Sequence, residues 1–481
     1  MIAYRQITYI LGILVLLIGG AMFVPAVLDI VNSDKEWETF VLSALLSIFV
    51  GGLMVLANST NEEKLSKKDV FILLPLSWLV LPLVASLPFF TASIGLSFTD
   101  AYFETVSGVT TTGATILTNL DTLPPGILLW RSLLQWMGGV GIVVMAAGVL
   151  PIMQVGGLQL LKLEFDPRME KTLPRTAQLS LVVVGLYAFL TLICALLYFI
   201  FGMSGLDAFN HAMTTMATGG YSTHDESMAF FKNPNILWTS TIFMMVASLP
   251  FVLVITAFRG GPLELTRDVQ ARWFIGLLAV FIGIMLFNNM SIFQNLNDNF
   301  RETAFNITSI MTGTGYSSQP YDQWGVLAIP FFLFIMIFGG GAGSTTCGLK
   351  MFRIKILWET IQTSFKTLIH PNGVFMPYYG SSVIKEGVSI AVLAYISVFM
   401  LSIFIFTIIF ALLGYDLVTA MSAAISALSC VGPGLGEIIG PLGTYQTVTT
   451  PFKWVFMVAM ILGRLEILTV LILLTPSFWK D

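Results

Sequence analysis

Four short clusters of glycine, threonine and serine recur along the chain: VTTTGATI from Val109, MATGGYST from Met216, MTGTGYSS from Met311 and CVGPGLGE from Cys430. Glycine takes the fifth place in each, as Gly113, Gly220, Gly315 and Gly434, at separations of 107, 95 and 119 residues. The chemistry open to such segments is that of the backbone itself. Without a Cβ, glycine reaches left-handed conformations and brings its carbonyl close to a neighbouring chain. Carbonyl oxygens gathered from several loops can replace the hydration shell of a cation. The flanking residues complete the candidate set: Thr111 and Thr112 with Gly113; Thr218 and Gly219 with Gly220; Thr312, Gly313 and Thr314 with Gly315; Val431, Gly432 and Pro433 with Gly434. One such cluster would be explained by helix packing, where small residues let backbones approach. Four in the same place point to one shared site.

Further residues stand out around these clusters. The run FGGGAGSTTCGLK from Phe338 puts glycines at 339, 340, 341, 343 and 348 where a helix should continue. Each glycine inside a helix costs about 1 kcal/mol relative to alanine, so Gly339, Gly340, Gly341 and Gly343 predict an irregular loop. The readings open for it are a gate below the clusters and close helix packing. A phosphate loop is excluded, because Leu349 stands where the lysine belongs. Arg464 sits within the apolar MILGRLEILTV, about 15–20 Å into the last span at 1.5 Å per residue. A charge at that depth faces a cavity or a partner. Facing a pore about 5 Å from a cation, it would oppose passage by roughly 3 kcal/mol; the alternative is a buried ion pair. Glu466, two positions on, points another way and requires a different contact. Asp100, Asp207 and Glu302 precede their glycines by 13 positions, and Asp416 precedes Gly434 by 18. They read as caps of short helices, with direct ion binding as the other role.

The elements that position these residues must be apolar helices. Of 481 residues, 56% are hydrophobic and 10% charged, with a mean hydropathy of +0.86. A soluble domain devotes about a quarter of its residues to charge, so most of this surface suits lipid. The net charge of −4 gives no reason to expect nucleic acid. Three scattered cysteines and three histidines form neither a disulfide framework nor a metal motif. No nucleophile constellation or paired catalytic carboxylates are present, so an enzyme is not expected.

Ten apolar runs satisfy the roughly 20 residues needed to cross a bilayer or approach it. They centre on 7–30, 40–57, 70–90, 128–153, 179–201, 236–258, 273–290, 326–338, 388–413 and 455–474. The eighth is short. Alternating connections separate the charges: one side carries 17 of the 23 basic residues against 11 acids, the other four basic residues against 15 acids. The positive-inside rule then places both termini in the cytoplasm. The outer acids would concentrate cations at the entrance.

The expected fold is all-α and polytopic. A two-helix extension (1–68) precedes four helix–pore-loop–helix units at 69–165, 166–262, 263–383 and 384–481, packed with pseudo-fourfold symmetry around one axis. Non-helical backbone survives at membrane depth only where it lines water or is buried in protein. Each short helix would aim the negative end of its dipole at the axis.

The four loops resemble the filter segments of the TrkH/TrkG/KtrB superfamily of potassium transporters, which includes plant HKT proteins. The resemblance covers nearly the whole chain, and the two additional N-terminal helices match the TrkH branch. It implies potassium uptake across a bacterial inner membrane through a single-chain pore, with K+ held at backbone carbonyls of Gly113, Gly220, Gly315 and Gly434. It also implies a homodimer, a cytosolic nucleotide-binding partner of TrkA type, and a gate formed by the intramembrane loop and Arg464. The basic stretches near 162–175 and 350–366 are the expected docking surface. Gly113 favours potassium, since relatives with serine there favour sodium. With one shared glycine per loop, rubidium should pass as well. The competing function is a secondary symporter coupling potassium to sodium or protons. Such proteins commonly carry inverted repeats, whereas these units run parallel.

Overall fold

The computed structural model describes residues 2–59, 65–148 and 176–480. Apart from a two-stranded hairpin, Tyr378–Tyr379 against Ser382–Val383, the regular elements there are helices. The chain opens with α1 (Tyr4–Ala21), α2 (Phe23–Val31) and α3 (Trp37–Ala57). Glycine sets the packing of α1 on α3: a Cβ at Gly12 would stand 3.0 Å from the Gly51 oxygen, and one at Gly51 2.9 Å from the Gly12 oxygen. A reciprocal cap between Ser66 and Asp69 starts the next helix, and the same carboxylate accepts from the Ala3 amide at 2.9 Å.

The stretch expected as the first unit holds α4 (Lys67–Ala85), which begins two residues ahead of it, α5 (Leu87–Thr91), the short α6 (Phe98–Val109) and α7 (Pro125–Gly148). The second has α8 (Thr176–Ile200), the short α9 (Gly205–Met216), then α10 (Pro234–Ala247) and α11 (Phe251–Gly260). The third has α12 (Leu263–Arg267), α13 (Val269–Asn288), α14 (Leu296–Met311), α15 (Ala328–Ile335) and α16 (Met351–Ile369). In the fourth, α17 (Glu386–Leu412), the short α18 (Leu417–Ser429) and α19 (Thr450–Arg464) lead into α20 (Ile467–Leu471) and α21 (Pro476–Lys480).

Among the described residues, seven helices are long and apolar enough to cross a membrane, or up to nine if each bent pair is one span. Two runs expected as single spans are broken instead. Residues 236–258 bend by 100° between α10 and α11, and residues 455–474 by 107° between α19 and the segment from Ile467. The causes are local. Pro250 lacks the N–H that a continuing helix needs, and Glu466 adopts a left-handed φ of 62°. The eighth run yields only the eight residues of α15 before the glycines intervene. The basic linker with Lys162, Arg168, Lys171 and Arg175 lies outside the described residues.

Candidate functional site

The site starts from four helix N-termini. Ser97 accepts from the Asp100 amide at 3.2 Å and donates to the Asp100 carboxylate at 2.8 Å. Ser204 and Asp207 repeat this at 3.1 and 2.7 Å. Asp416 is itself the cap of α18, accepting from the Val418 and Thr419 amides at 3.1 Å. These three acids hold helix starts, which are positive dipole ends. Glu302 does not, because α14 begins at Leu296 and leaves it in the second turn. It accepts instead from Ser318 and Arg301.

The four helix ends share one backbone course. Thr111 (φ 54°), Thr218 (49°), Gly313 (70°) and Cys430 (50°) turn left-handed. The next amide reaches back five residues: Thr112 to Ser107, Gly219 to Thr214, Thr314 to Ser309 and Val431 to Ser426, each at 2.9 Å. A second left-handed residue follows: Gly113 (86°), Gly220 (75°), Gly315 (77°) and Gly432 (101°). The four segments also touch in cyclic order. A Cβ at Gly113 would stand 2.1 Å from the Gly219 oxygen, one at Gly220 1.8 Å from Thr314, one at Gly315 2.0 Å from Val431, and one at Gly432 2.6 Å from Thr112. The last loop thus closes on the first.

Gly432, rather than Gly434, occupies the fourth place in this ring. Its loop is fixed by the helix before it: Asp416 caps α18 sixteen residues ahead of Gly432, as Ser97 and Ser204 do ahead of Gly113 and Gly220. Gly434 instead donates its amide to the Ile439 carbonyl at 2.6 Å, and a Cβ there would meet the Ile439 and Ser422 side chains. A signal was present in the sequence. Ser107, Thr214, Ser309 and Ser426 each stand six residues before a ring glycine. Three of these hydroxyls brace the loop beyond: Thr214 to the Tyr221 oxygen (2.9 Å), Ser309 to Tyr316 (2.7 Å) and Ser426 to Gly432 (3.0 Å). Thr312 ends α14, and its hydroxyl pairs with that of Thr314 at 2.8 Å. Pro433 follows the ring, its Cδ 2.7 Å from where a Gly315 Cβ would stand.

Several residues that sequence reasoning passed over support the ring from behind. Gln135 donates to the Gly219 carbonyl at 2.7 Å and accepts from the Tyr221 amide at 3.1 Å. Tyr445 donates to the Gly432 carbonyl at 2.8 Å. Arg131 pairs with buried Glu104 at 2.8 Å and donates to the Ser222 carbonyl and the Thr115 hydroxyl, each at 3.0 Å. Its guanidinium lies 4.2 Å from the Tyr221 ring centre. Polar residues inside the apolar run LLWRSLLQW were the available signal. All four ring glycines border one cavity, together with Arg131, His224 and Tyr445.

The glycine-rich loop lies at the helix end of the same ring. Thr345 bonds the Thr218 hydroxyl at 3.1 Å, just before Gly219 and Gly220. The loop fills the break between α10 and α11: Gly341 donates to the Ser248 carbonyl at 2.8 Å, and the Gly343 carbonyl accepts from Phe251 at 3.1 Å. Gln270 of α13 accepts from the Ala342 amide at 2.7 Å. Side chains are excluded here, since a Cβ at Gly339 would meet the Cys347 oxygen at 1.8 Å and one at Gly340 the Ser248 oxygen at 2.4 Å.

Arg464 is 2% exposed. It donates to the Thr345 carbonyl at 3.0 Å, Cys347 Sγ at 2.9 Å and the Gly138 carbonyl at 3.3 Å. Its partners are therefore two backbone carbonyls and a thiol, rather than a carboxylate. Glu466 makes the separate contact its position required, with Arg353 at 2.7 Å. Lys350 and Arg353, expected on a docking surface, are buried at 9% and 0% exposure; Lys350 donates to the Thr346 carbonyl.

Against known proteins, the chain matches the family described as TrkH, cation transport protein, over residues 37–480. It is 37% identical over 479 residues to the Trk system potassium uptake protein TrkI of Halomonas elongata, covering 99% of this chain and 97% of that one. It is 34% identical to the Trk system potassium uptake protein TrkH of Escherichia coli K12, covering 99% and 100%. The crystal structure of the potassium transporter TrkH from Vibrio parahaemolyticus matches with a TM-score of 0.92 at 33% identity, over 99% of this chain and 100% of that chain.

Proposed function

The chain belongs to the TrkH family of cation transport proteins, and from that premise we propose that it carries potassium through a channel-like pore centred on the four-loop ring. It is a multi-pass membrane protein and a transporter, not an enzyme. The observation that carries the pore reading is the closed cycle from Gly113 through Gly220 and Gly315 to Gly432 and back.

Left-handed residues alternate with residues of negative φ in each segment, a course that turns successive carbonyls toward one side. Four such segments meeting on one axis supply oxygens in place of the water that a potassium ion sheds. The short helices end where these segments begin, adding the negative ends of four dipoles. The fourth position differs from the rest, because Tyr445 and Ser426 already engage the Gly432 carbonyl. A less uniform cage supports a filter that admits rubidium with potassium.

The loop from Gly339 to Gly348 serves as the gate in this reading. It contacts Thr218 at one end of the ring, whereas the cavity borders residues beyond the glycines at the other. Arg464 acts as the latch on that loop. The Trk system names of the relatives support a partner from the same system, which in this reading is a regulatory subunit of TrkA type acting on a homodimer. The charge asymmetry of the connections supports cytoplasmic termini, and the bacterial relatives support a bacterial inner membrane.

The test is rubidium uptake into proteoliposomes down a gradient, competed by potassium. Gly315→Asp places a side chain where even a Cβ would lie 2.0 Å from the Val431 oxygen, so flux should vanish in folded protein. Undiminished flux would remove the ring from the pathway.

A further inference from the structure

Two cavities outside the ring share a wall on α13. The first, about 640 Å3, is lined by Arg272, Trp273, Gly276, Val280, Lys355 and Tyr378. The second, about 800 Å3, begins at the same Val280 and follows Gly283, Ile284 and Phe287 to Asn288. The groove exists because α13 carries glycine where it would otherwise carry bulk: a Cβ at Gly276 or Gly283 would meet nothing within 4 Å.

The two ends differ in chemistry. Arg272 is exposed at the first end, with Lys355 across the cavity on α16, its ammonium 5.0 Å from the Trp273 ring centre. Glu359 lines the same cavity and pairs with Lys355, and Asp268 caps the Ala271 amide at 2.7 Å. Trp273 and Trp358 lie 6.2 Å apart, in the aromatic company typical of a membrane–water boundary. Beyond Gly276 the lining turns apolar, with Val280 55% exposed and Phe287 76% exposed. From Arg272 to Val280 is about 12 Å along the helix, close to one leaflet's share, about 15 Å, of the bilayer core.

We propose that this groove binds an anionic diacyl phospholipid, its phosphate between Arg272 and Lys355 and one acyl chain over Gly276 as far as Val280. The match of a cationic, aromatic mouth to a leaflet-deep apolar channel selects a lipid over a soluble anion. The basic end also lies on the side that the charge distribution assigns to the cytoplasm. The site touches the proposed gate from two directions. Gln270, two residues before Arg272, holds the Ala342 amide of the glycine loop, and α16 follows that loop directly. A lipid bridging α13 and α16 would therefore stiffen the frame of the loop. The inference rests on the membrane-spanning reading, and its binding test does not depend on which ion passes.

Native mass spectrometry of the full-length protein in detergent, titrated with phosphatidylglycerol or phosphatidylcholine of equal chain length, is the direct measurement. Phosphatidylglycerol should be retained roughly tenfold better, and Arg272→Gln should weaken it about fivefold, the effect expected of one basic group near an anionic headgroup. Gly276→Leu should weaken both lipids while leaving the melting temperature unchanged, since its side chain enters empty space. Equal retention of the two lipids, wild-type retention by both variants, or displacement by soluble glycerol phosphate at the lipid's own concentration would each overturn the proposal. So would a change of oligomeric state in both variants, which would identify a second copy of the chain as the occupant.

Discussion

A Cβ at Gly432 would lie 2.6 Å from the Thr112 oxygen, on a backbone whose φ of 101° L-residues rarely adopt. At Gly434 the same atom would press on the end of the flexible Ile439 side chain, and its φ is not positive. Left-handed strain costs about 1–2 kcal/mol in a residue with a side chain, and the backbone clash adds to it. Gly432→Ala should therefore cut rubidium flux at least tenfold, since roughly 1.4 kcal/mol corresponds to one decade. Gly434→Ala should keep most of it, with Ile439 shifting rotamer. Flux assays on the two variants side by side check this, and the reverse ranking would restore Gly434 to the ring. The sequence offered both readings, because the fourth cluster has glycine at 432, 434 and 436. Aligning on the fifth place selects Gly434. Aligning on the serine or threonine six residues earlier selects Gly432, but that requires knowing that Ser426 ends a helix turn whose carbonyl the Val431 amide will seek. Glu104, Arg131 and Gln135 were illegible for a related reason: their value lies in contacts 27 to 117 residues away along the chain, to each other and to Gly219 and Tyr221.

Helix lengths and their apolar character were readable at the level of elements, whereas helix breaks were not. Hydropathy treats residues 236–258 and 455–474 as continuous because both halves are apolar. The bends come from one proline and one left-handed glutamate, features that carry little weight in a window average. Yet the breaks are what make room for the glycine loop. The loop's backbone groups are paired across the first break to Ser248 and Phe251, so the polar chain is satisfied without water. Arg464, the last residue of α19 before the second break, ties the loop to Gly138 of α7. Removing it takes the guanidinium from the Thr345 loop carbonyl, at about 1–3 kcal/mol for a buried group left unsatisfied, whereas the Gly138 carbonyl stays within its helix. Arg464→Ala should accordingly loosen the loop and raise basal rubidium flux by roughly tenfold, and deletion of residues 339–348 should raise it further. Proteoliposome flux without any partner subunit measures both. If neither variant changes it, the loop is packing and not a gate. Arg464→Lys should fall between, because one ammonium cannot reach three acceptors spread over two elements.

The four units are also stitched in a circle at the level of the whole molecule. Arg131 joins the first unit to the Ser222 carbonyl of the second at 3.0 Å, and the Met228 amide joins the second to the Ser317 carbonyl of the third at 3.1 Å. Ser317 donates to the Pro441 carbonyl of the fourth at 2.7 Å. The Tyr445 amide returns to the Thr115 carbonyl of the first at 2.8 Å, and Lys453 to Asp100 at 2.6 Å. Pseudo-repetition in the sequence implied that units meet, but side-chain pairs between them follow no repeat and could not be read from it. One of these links titrates. His224, in the connection after α9, faces Asp121 of the first unit and Asp207 of its own, with Asp225 beside it and the Phe230 ring stacked at 3.5 Å. Burial pushes the imidazole pKa down, but the carboxylates of Asp207 and Asp121 outweigh it and hold the group above its usual value. A base whose folded pKa exceeds its unfolded value stabilises the fold fully below about pH 6.5, and this is lost as pH rises through the folded value. His224→Gln should therefore lower the melting temperature most near pH 6, with the gap to wild type closing toward pH 9. Because the link joins two units at the mouth of the cavity that borders the ring, rubidium flux should follow the same pH course. A melting difference that is constant across this range would show that His224 is held there by stacking on Phe230 and not by charge.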